Sequence, residues 1–230
     1  IRLEKKGKKT KELIPEIIRK SISAISYPKT MCWGSTRMQL ARPLRWIICL
    51  FEKEVINFEV NFVSSNNISY GNRFKKLVNP VKIEAAIEYE KNLKTVEVIA
   101  DRDERKKIII DGIKKIAEDS NLEVIEDSRL VDVVTDLVEY PNAVLGNFEK
   151  SYLSLPEKII ISTLSQNQKY FALREKDGSL ANQFIFINNG NPDFVEIIRA
   201  GNEKVIAARL ADAEFYFRED TATALESYTG

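Results

Sequence analysis

Histidine is absent from this 230-residue sequence, and glycine is scarce, with nine residues. Without histidine the chain cannot hold a Ser-His-Asp or Cys-His nucleophile system, an H-E-x-x-H zinc site or any histidine acid or base. The glycines form neither G-x-G-x-x-G nor G-x-x-x-x-G-K, and a G-x-S-x-G nucleophile elbow is missing too. The sequence therefore lacks the usual signals of a nucleotide-binding or hydrolytic enzyme.

Long apolar runs and paired cysteine motifs are lacking as well. The apolar run 46–51 is far shorter than the roughly 20 residues that a membrane-spanning helix needs. The cysteines, Cys32 and Cys49, form no C-x-x-C motif and favour free thiols in a reducing compartment. The chain starts at Ile1 without a methionine, and its lysine-rich opening is not a secretory leader. We therefore expect a cytoplasmic protein without a membrane partner, and an internal piece of a longer chain.

The charge is unevenly distributed along the chain. Residues 1–80 hold 16 Lys/Arg against 6 Asp/Glu, a net charge of +10, whereas residues 81–230 hold 19 against 28, a net charge of −9. A basic third of this kind favours a polyanion or an acidic protein as its partner. The alternative is that the lysines of 5–11 form a solvated loop.

Apolar periodicity predicts a mixed, α+β chain with a β-sheet core and packed helices. Asp101 is the expected N-cap of one helix, and Pro141 ends another. The predicted helices are 11–26, 83–93, 101–119, 127–140, 156–165 and 193–225. The predicted strands are 44–51, 55–63, 68–70, 95–100, 122–125, 143–145, 169–173 and 184–187. In the strand 55–63 we expect Ile56, Phe58, Val60 and Phe62 to share one face.

Two arginines, Arg42 and Arg45, stand three residues apart at the entry to a predicted buried strand. Guanidinium groups bind phosphate with a rigid, forked geometry, so this pair is a candidate phosphate site. The alternative is that both arginines pair with carboxylates at the edge of the core. Carboxylates two residues apart, such as Asp212 and Glu214, point to different faces of a helix, so we predict no metal site.

A second candidate segment, 71–76, combines a turn glycine with Arg73, Lys75 and Lys76 and with an aromatic ring, Phe74, that could stack on a base. A loop phenylalanine can equally be a hydrophobic plug.

A third candidate is Lys169, at the start of a predicted strand, where it could contact a backbone phosphate. Because successive strand residues face opposite sides, one of Tyr170 and Phe171 should belong to the core.

Six motifs in order along the chain resemble the β subunit of the bacterial two-subunit glycyl-tRNA synthetase. They are MCWG at 31–34, RPLRW at 42–46, GNRF at 71–74, VEYP at 138–141, QKYF at 168–171 and GNEKV through RLADAEF at 201–215. This resemblance implies a fold similar to the B3/B4 domain of the phenylalanyl-tRNA synthetase β chain. Residues 1–230 would then be largely one such domain, with a long helix over about 194–230 leading to an HD-type domain outside this sequence.

The resemblance also implies a function. In that family the α subunit activates glycine with ATP and Mg, and the β subunit binds tRNA(Gly) within an α2β2 complex. This chain would then be non-catalytic and without a cofactor of its own, and it would position tRNA and dock subunits. The expected phosphate contacts are Arg42, Arg45, Arg73, Lys75, Lys76 and Lys169. The alternatives are an editing deacylase, which glycine selection by sterics makes less necessary, and a pure protein scaffold.

Overall fold

The computed structural model describes residues 7–33, 37–73, 80–224 and 227. These residues fall into two compact units, which we name unit 1, up to Glu97, and unit 2, from Val98 onward. Both units mix helices and strands, which confirms the α+β class. Among the described residues no helix is long and apolar enough to cross a membrane.

The described residues of unit 1 form two helices and nine short strands. The helices are α1 (Thr10–Ala24) and α2 (Tyr89–Lys94), the latter preceded by a 3₁₀ turn at Ala86–Glu88. The strands are β1 (Met31–Cys32), β2 (Gln39–Leu40), β3 (Ile47–Ile48), β4 (Leu50–Phe51), β5 (Glu54–Val55), β6 (Glu59–Val60), β7 (Val63–Asn66), β8 (Ile68–Tyr70) and β9 (Pro80–Lys82). The pairs β1–β2, β4–β5 and β8–β9 are antiparallel, and β3 pairs in parallel with β7, which is antiparallel to β6.

The small core of unit 1 lies under α1. Ile56, Phe58 and Val60 are buried, and the apolar stripe of α1 packs on them through residues such as Ile14 and Ile18. The predicted helix and the alternation of 56, 58 and 60 are thus confirmed. Phe62 was expected on the same face, but it is 74% exposed because Asn61 and Phe62 both adopt positive φ in the turn between β6 and β7.

The sequence prediction fails where unit 1 ends. The predicted strand 95–100 is wrong: residues 95–97 form the turn that ends α2, with the amides of Thr95, Val96 and Glu97 bonded to the carbonyls of residues 92–94. The β-branched residues Thr95 and Val96 favoured a strand, but local helix-ending hydrogen bonds decide the conformation. The predicted helix 83–93 is confirmed only in its second half.

Unit 2 is a three-layer structure around one antiparallel sheet in the order β10–β12–β13–β11. Its strands are β10 (Glu123–Val124), β11 (Asn142–Asn147), β12 (Phe171–Arg174) and β13 (Leu180–Asn188). Its helices are α3 (Arg102–Asp119), α4 (Ser128–Leu137), α5 (Glu157–Ser162) and α6 (Val195–Ala222), and a π-helical turn, Thr163–Gln168, follows α5. The carboxylates of Asp101 and Asp127 accept the amides of Glu104 and Leu130 at 2.8 Å, which fixes where α3 and α4 begin.

The two faces of this sheet are covered by different helices. Helices α3 and α4 bury one face, which includes Phe171 and Leu173. Helices α5 and α6 bury the other, which includes Tyr170 and Phe184. Tyr170 and Phe171 therefore point to opposite sides, as expected, but both are core residues because neither face is open to solvent.

Candidate nucleic-acid interface

Two of the predicted cationic segments meet in unit 1. The ring of Trp46 packs edge-on against Tyr70, with ring centroids 4.9 Å apart. Cζ of Arg45 lies 5.6 Å from the Trp46 ring centroid, within reach of a cation–π interaction. Arg73 follows Tyr70 by three residues, so their Cα atoms are separated by at most about 11 Å. The Trp46–Tyr70 contact thus brings the RPLRW motif next to the end of the strand β8, from which the chain continues to Gly71 and Arg73.

Three arginines, together with Trp46 and Tyr70, form what we call the arginine surface. Arg42, Arg45 and Arg73 are exposed, and within the described ranges no carboxylate forms an ion pair with them. Other cations of unit 1 are engaged: Lys11 pairs with Glu54 at 2.8 Å, and Lys82 with Glu84 at 2.8 Å. Because a guanidinium in solvent retains its full charge and its donors, these arginines can receive phosphate groups.

The turn that carries Arg73 is fixed by its two preceding residues. The amide of Asn72 donates to the carbonyl of Val96 at 3.0 Å, and Asn72 is 4% exposed. A Cβ on Gly71 would lie 2.6 Å from Cβ of Val96 and 2.7 Å from its carbonyl oxygen. Position 71 therefore requires glycine because the backbone of residue 96 passes too close for any side chain.

We expect Gly71→Ala to lower the free energy of unfolding of unit 1 by about 1–3 kcal/mol, because either the turn or residue 96 must shift. Urea denaturation followed by far-UV circular dichroism measures this. Gly201→Ala is the matched control, since a Cβ there meets nothing within 4 Å inside helix α6; it should leave stability unchanged or raise it by up to about 1 kcal/mol. Equal urea midpoints for Gly71→Ala and Gly201→Ala would contradict the requirement for glycine at position 71.

Among the described residues, no contact brings the other predicted cations to this surface. Lys75 and Lys76, with Phe74, lie outside the described residues. Lys169 belongs to unit 2, has positive φ (63°) at the end of the π-helical turn and donates through Nζ to the carbonyl of Gln166 at 2.6 Å. This is the contact of a cation that caps a helix C-terminus. The predicted strand begins at Phe171 rather than at Lys169, and the phosphate contact of Lys169 stays a prediction.

The first part of the 201–215 motif joins helix α6 to the sheet region of unit 2. The hydroxyl of Tyr170 donates to Oδ1 of Asn202, and burial raises the pKa of Tyr170 above its ordinary value. Oε1 of Glu203 accepts the amide of Asn147 at 3.0 Å. These contacts account for Asn202 and Glu203 structurally, whereas Phe215 further along the motif is 60% exposed.

The acidic residues on α4 are neutralised by cations on α3. Arg102 bonds to Asp132 and Asp136, and Lys106 bonds to Asp132 at 2.9 Å. The hydrogen bond from Lys106, followed by that from Arg102, holds the pKa of Asp132 below its ordinary value. In the part of the chain that the structure describes, no three His, Cys, Asp or Glu side chains group as metal ligands.

Sequence reasoning missed the aromatic partner of this surface. No sequence signal indicates Tyr70, because a tyrosine at the end of a short strand matches no binding motif by itself. Its proximity to Trp46 depends on the parallel pairing of β3 with β7, which no local pattern reveals.

Comparison with known proteins shows the family of the chain. A family model described as glycyl-tRNA synthetase beta subunit matches residues 1–230. The glycine–tRNA ligase beta subunit of Dictyoglomus turgidum is 43% identical over 225 residues, which is 98% of this chain and 32% of that protein. That of Bacillus subtilis is 40% identical over 214 residues, covering 93% of this chain and 31% of that protein.

These relatives are subunits of an aminoacyl-tRNA ligase. The chain belongs to the glycyl-tRNA synthetase β-subunit family. It spans about a third of the length of the curated relatives that it matches.

Proposed function

We propose that this chain is a tRNA-positioning and subunit-docking module of glycyl-tRNA synthetase. It would support the glycylation of tRNA(Gly) by an α subunit that binds ATP and Mg, within an α2β2 complex and in the cytoplasm, where free thiols such as Cys32 and Cys49 persist. The observation that carries the proposal is the Trp46–Tyr70 contact, which brings the strand after Arg42 and Arg45 next to the strand that leads to Arg73. All three arginines are exposed, and among the described residues no carboxylate pairs with them. A B3/B4-like fold is part of the same proposal.

Through phosphate contacts, such a module can position tRNA without catalysing a reaction itself. Contacts to the RNA backbone fix the register and orientation of a bound tRNA but do not read its sequence. A substrate held in the right position then reacts faster at a distant centre, because orientation lowers the entropic part of the barrier. The lack of histidine and of a phosphate-binding loop in the sequence is compatible with this division of labour.

The test is binding of the chain to glycine tRNA across a range of salt concentrations, with an unrelated tRNA as control. If the three arginines each contact a phosphate, the logarithm of the affinity should fall with the logarithm of salt with a slope of about −2 to −3. Similar affinity for both tRNAs is expected, since phosphate contacts carry no sequence information.

Two other outcomes would contradict the proposal and favour a different function. No RNA binding at low salt would favour the protein scaffold, with the basic surface facing acidic protein. Hydrolysis of a mischarged glycine tRNA by the chain alone would favour the editing deacylase.

A further inference from the structure

An open groove of about 440 Å³ lies beside the arginine surface of unit 1. Trp46, Ile48 and Leu50 line it from the strand side. Ala86 in the 3₁₀ turn and Tyr89 at the start of α2 line the other side. Its volume falls within the roughly 300–1,000 Å³ that is typical of ligand pockets. None of the five lining residues is charged, so the groove itself selects for an uncharged, flat or apolar group.

The groove combines two aromatic rings with a cation at one edge. Trp46 and Tyr89 both line it, and Tyr89 is 37% exposed. The guanidinium of Arg45 lies 5.6 Å from the Trp46 ring centroid, and Arg42 stands exposed three residues earlier. Aromatic faces that bind bases, next to cations that bind the backbone, are the elements by which proteins hold unpaired nucleotides.

Charge distinguishes the two walls of the groove. The Trp46 wall has Arg45 beside it, whereas Tyr89 is flanked in sequence by the exposed carboxylates of Glu88 and Glu90. A phosphate would be attracted to the first wall and repelled from the second. The charges therefore orient a nucleotide with its base between the walls and its phosphate at Arg45, and they disfavour a phosphate that enters from α2.

We infer that this groove binds one unpaired nucleotide of RNA, with the base stacked on Trp46 or Tyr89 and its phosphate at Arg45. The inference rests on the proposed function, since it names how the same surface holds tRNA. An apolar side chain of a protein partner would also fit the groove, but it would leave the exposed arginines at its edge without a counterion. Paired bases do not fit, because their faces are already stacked within the duplex.

The test uses the tryptophan fluorescence of the chain carrying Trp33→Phe, which leaves Trp46 as the remaining tryptophan. Trp33 does not line the groove. The probes are a single-stranded adenine RNA hexanucleotide, an RNA duplex of the same length, and glycine tRNA. We expect the hexanucleotide and the tRNA to quench Trp46 and the duplex to leave its fluorescence unchanged, since stacking brings a base directly onto the indole.

A variant separates stacking from phosphate binding. Tyr89→Ala should weaken hexanucleotide binding about 5- to 150-fold, the range measured for loss of one stacked base, with an unchanged salt slope because no cation is removed. Tyr89→Phe keeps the ring and should restore binding. Ile87→Ala is the matched control: Ile87 is 93% exposed, adjacent in the same segment and outside the groove lining, so binding should not change.

The results that would overturn this inference differ from the results that would overturn the proposed function. Salt-dependent tRNA binding without quenching of Trp46, and with normal affinity in Tyr89→Ala, would overturn the groove assignment and leave the proposed function standing. No binding of any RNA at low salt would overturn both. Quenching of Trp46 by the synthetase α subunit without RNA would assign the groove to a protein partner and overturn the inference.

Discussion

The Phe184→Ala substitution is expected to lower the free energy of unfolding of unit 2 by about 3–5 kcal/mol. Phe184 is fully buried in β13, where its ring stacks on Tyr170 with centroids 4.9 Å apart. It lies opposite Gly146 on β11, and a Cβ on that glycine would come within 2.6 Å of its ring. Because the ring fills the space that the glycine leaves, no neighbour can close the resulting cavity.

The matched control for this substitution is Phe215→Ala on helix α6. Phe215 is the same residue type in the same unit but is 60% exposed, so its removal should change stability by no more than about 0.5 kcal/mol. Urea denaturation followed by far-UV circular dichroism compares the two. A loss below about 1.5 kcal/mol for Phe184→Ala, or equal losses for both variants, would contradict the packing described for the sheet.

Local signals predicted unit 2 well. Asp101 supplies the N-cap and apolar residues recur every three to four positions along α3 and α6, so both helices could be located from the sequence. The long helix was expected over about 194–230, and the structure gives Val195–Ala222. Glu214 and Arg218, one turn apart on this helix, form an ion pair at 2.6 Å. These features depend on residues close together in the chain, which is why periodicity and capping suffice.

Backbone conformations with positive φ explain where the prediction failed. Asn61, Phe62, Glu97 and Lys169 all adopt positive φ although none is glycine. The first three lie inside segments predicted as strands, and Lys169 is the first residue of a predicted strand that begins two residues later in the structure. Tertiary contacts impose these backbone conformations, and the residue types alone do not predict them. The predicted strand 44–51 is likewise divided into β3 and β4, which pair with different partners.

The candidate site was predictable in its charges but not in its shape. The clustering of Arg42, Arg45 and Arg73 in a basic segment is visible in the sequence. The aromatic contacts are not, since Trp46 meets Tyr70 and shares a groove with Tyr89 only after the strands pair. The aromatic part of the candidate site comes from separate segments and is visible only in the fold, whereas its cationic residues can be located in the sequence.

Simultaneous replacement of Arg42, Arg45 and Arg73 by alanine is expected to give the largest change in RNA affinity. Each phosphate contact contributes a slope of about −0.7 to −0.9 in the logarithm of affinity against the logarithm of salt, so the slope should become shallower by about 2–3. Between 50 and 200 mM salt, three contacts correspond to an additional loss of affinity of about 20- to 40-fold in the unsubstituted chain, which the triple variant should not show. Filter binding of glycine tRNA at several salt concentrations measures both quantities.

The control for the triple variant removes equal charge from cations that already have partners. Lys11, Lys20 and Lys82 are paired with Glu54, Glu16 and Glu84, and all belong to unit 1. If net charge alone attracted RNA, both triple variants would lose the same affinity and the same slope. If the arginine surface is the binding site, the lysine variant should keep most of the slope, because its cations are already paired with carboxylates and are partly neutralised. Equal salt slopes for the two variants would mean that the arginines attract RNA only through net charge. A shallower slope for the arginine variant than for the lysine variant would support defined phosphate contacts at Arg42, Arg45 and Arg73.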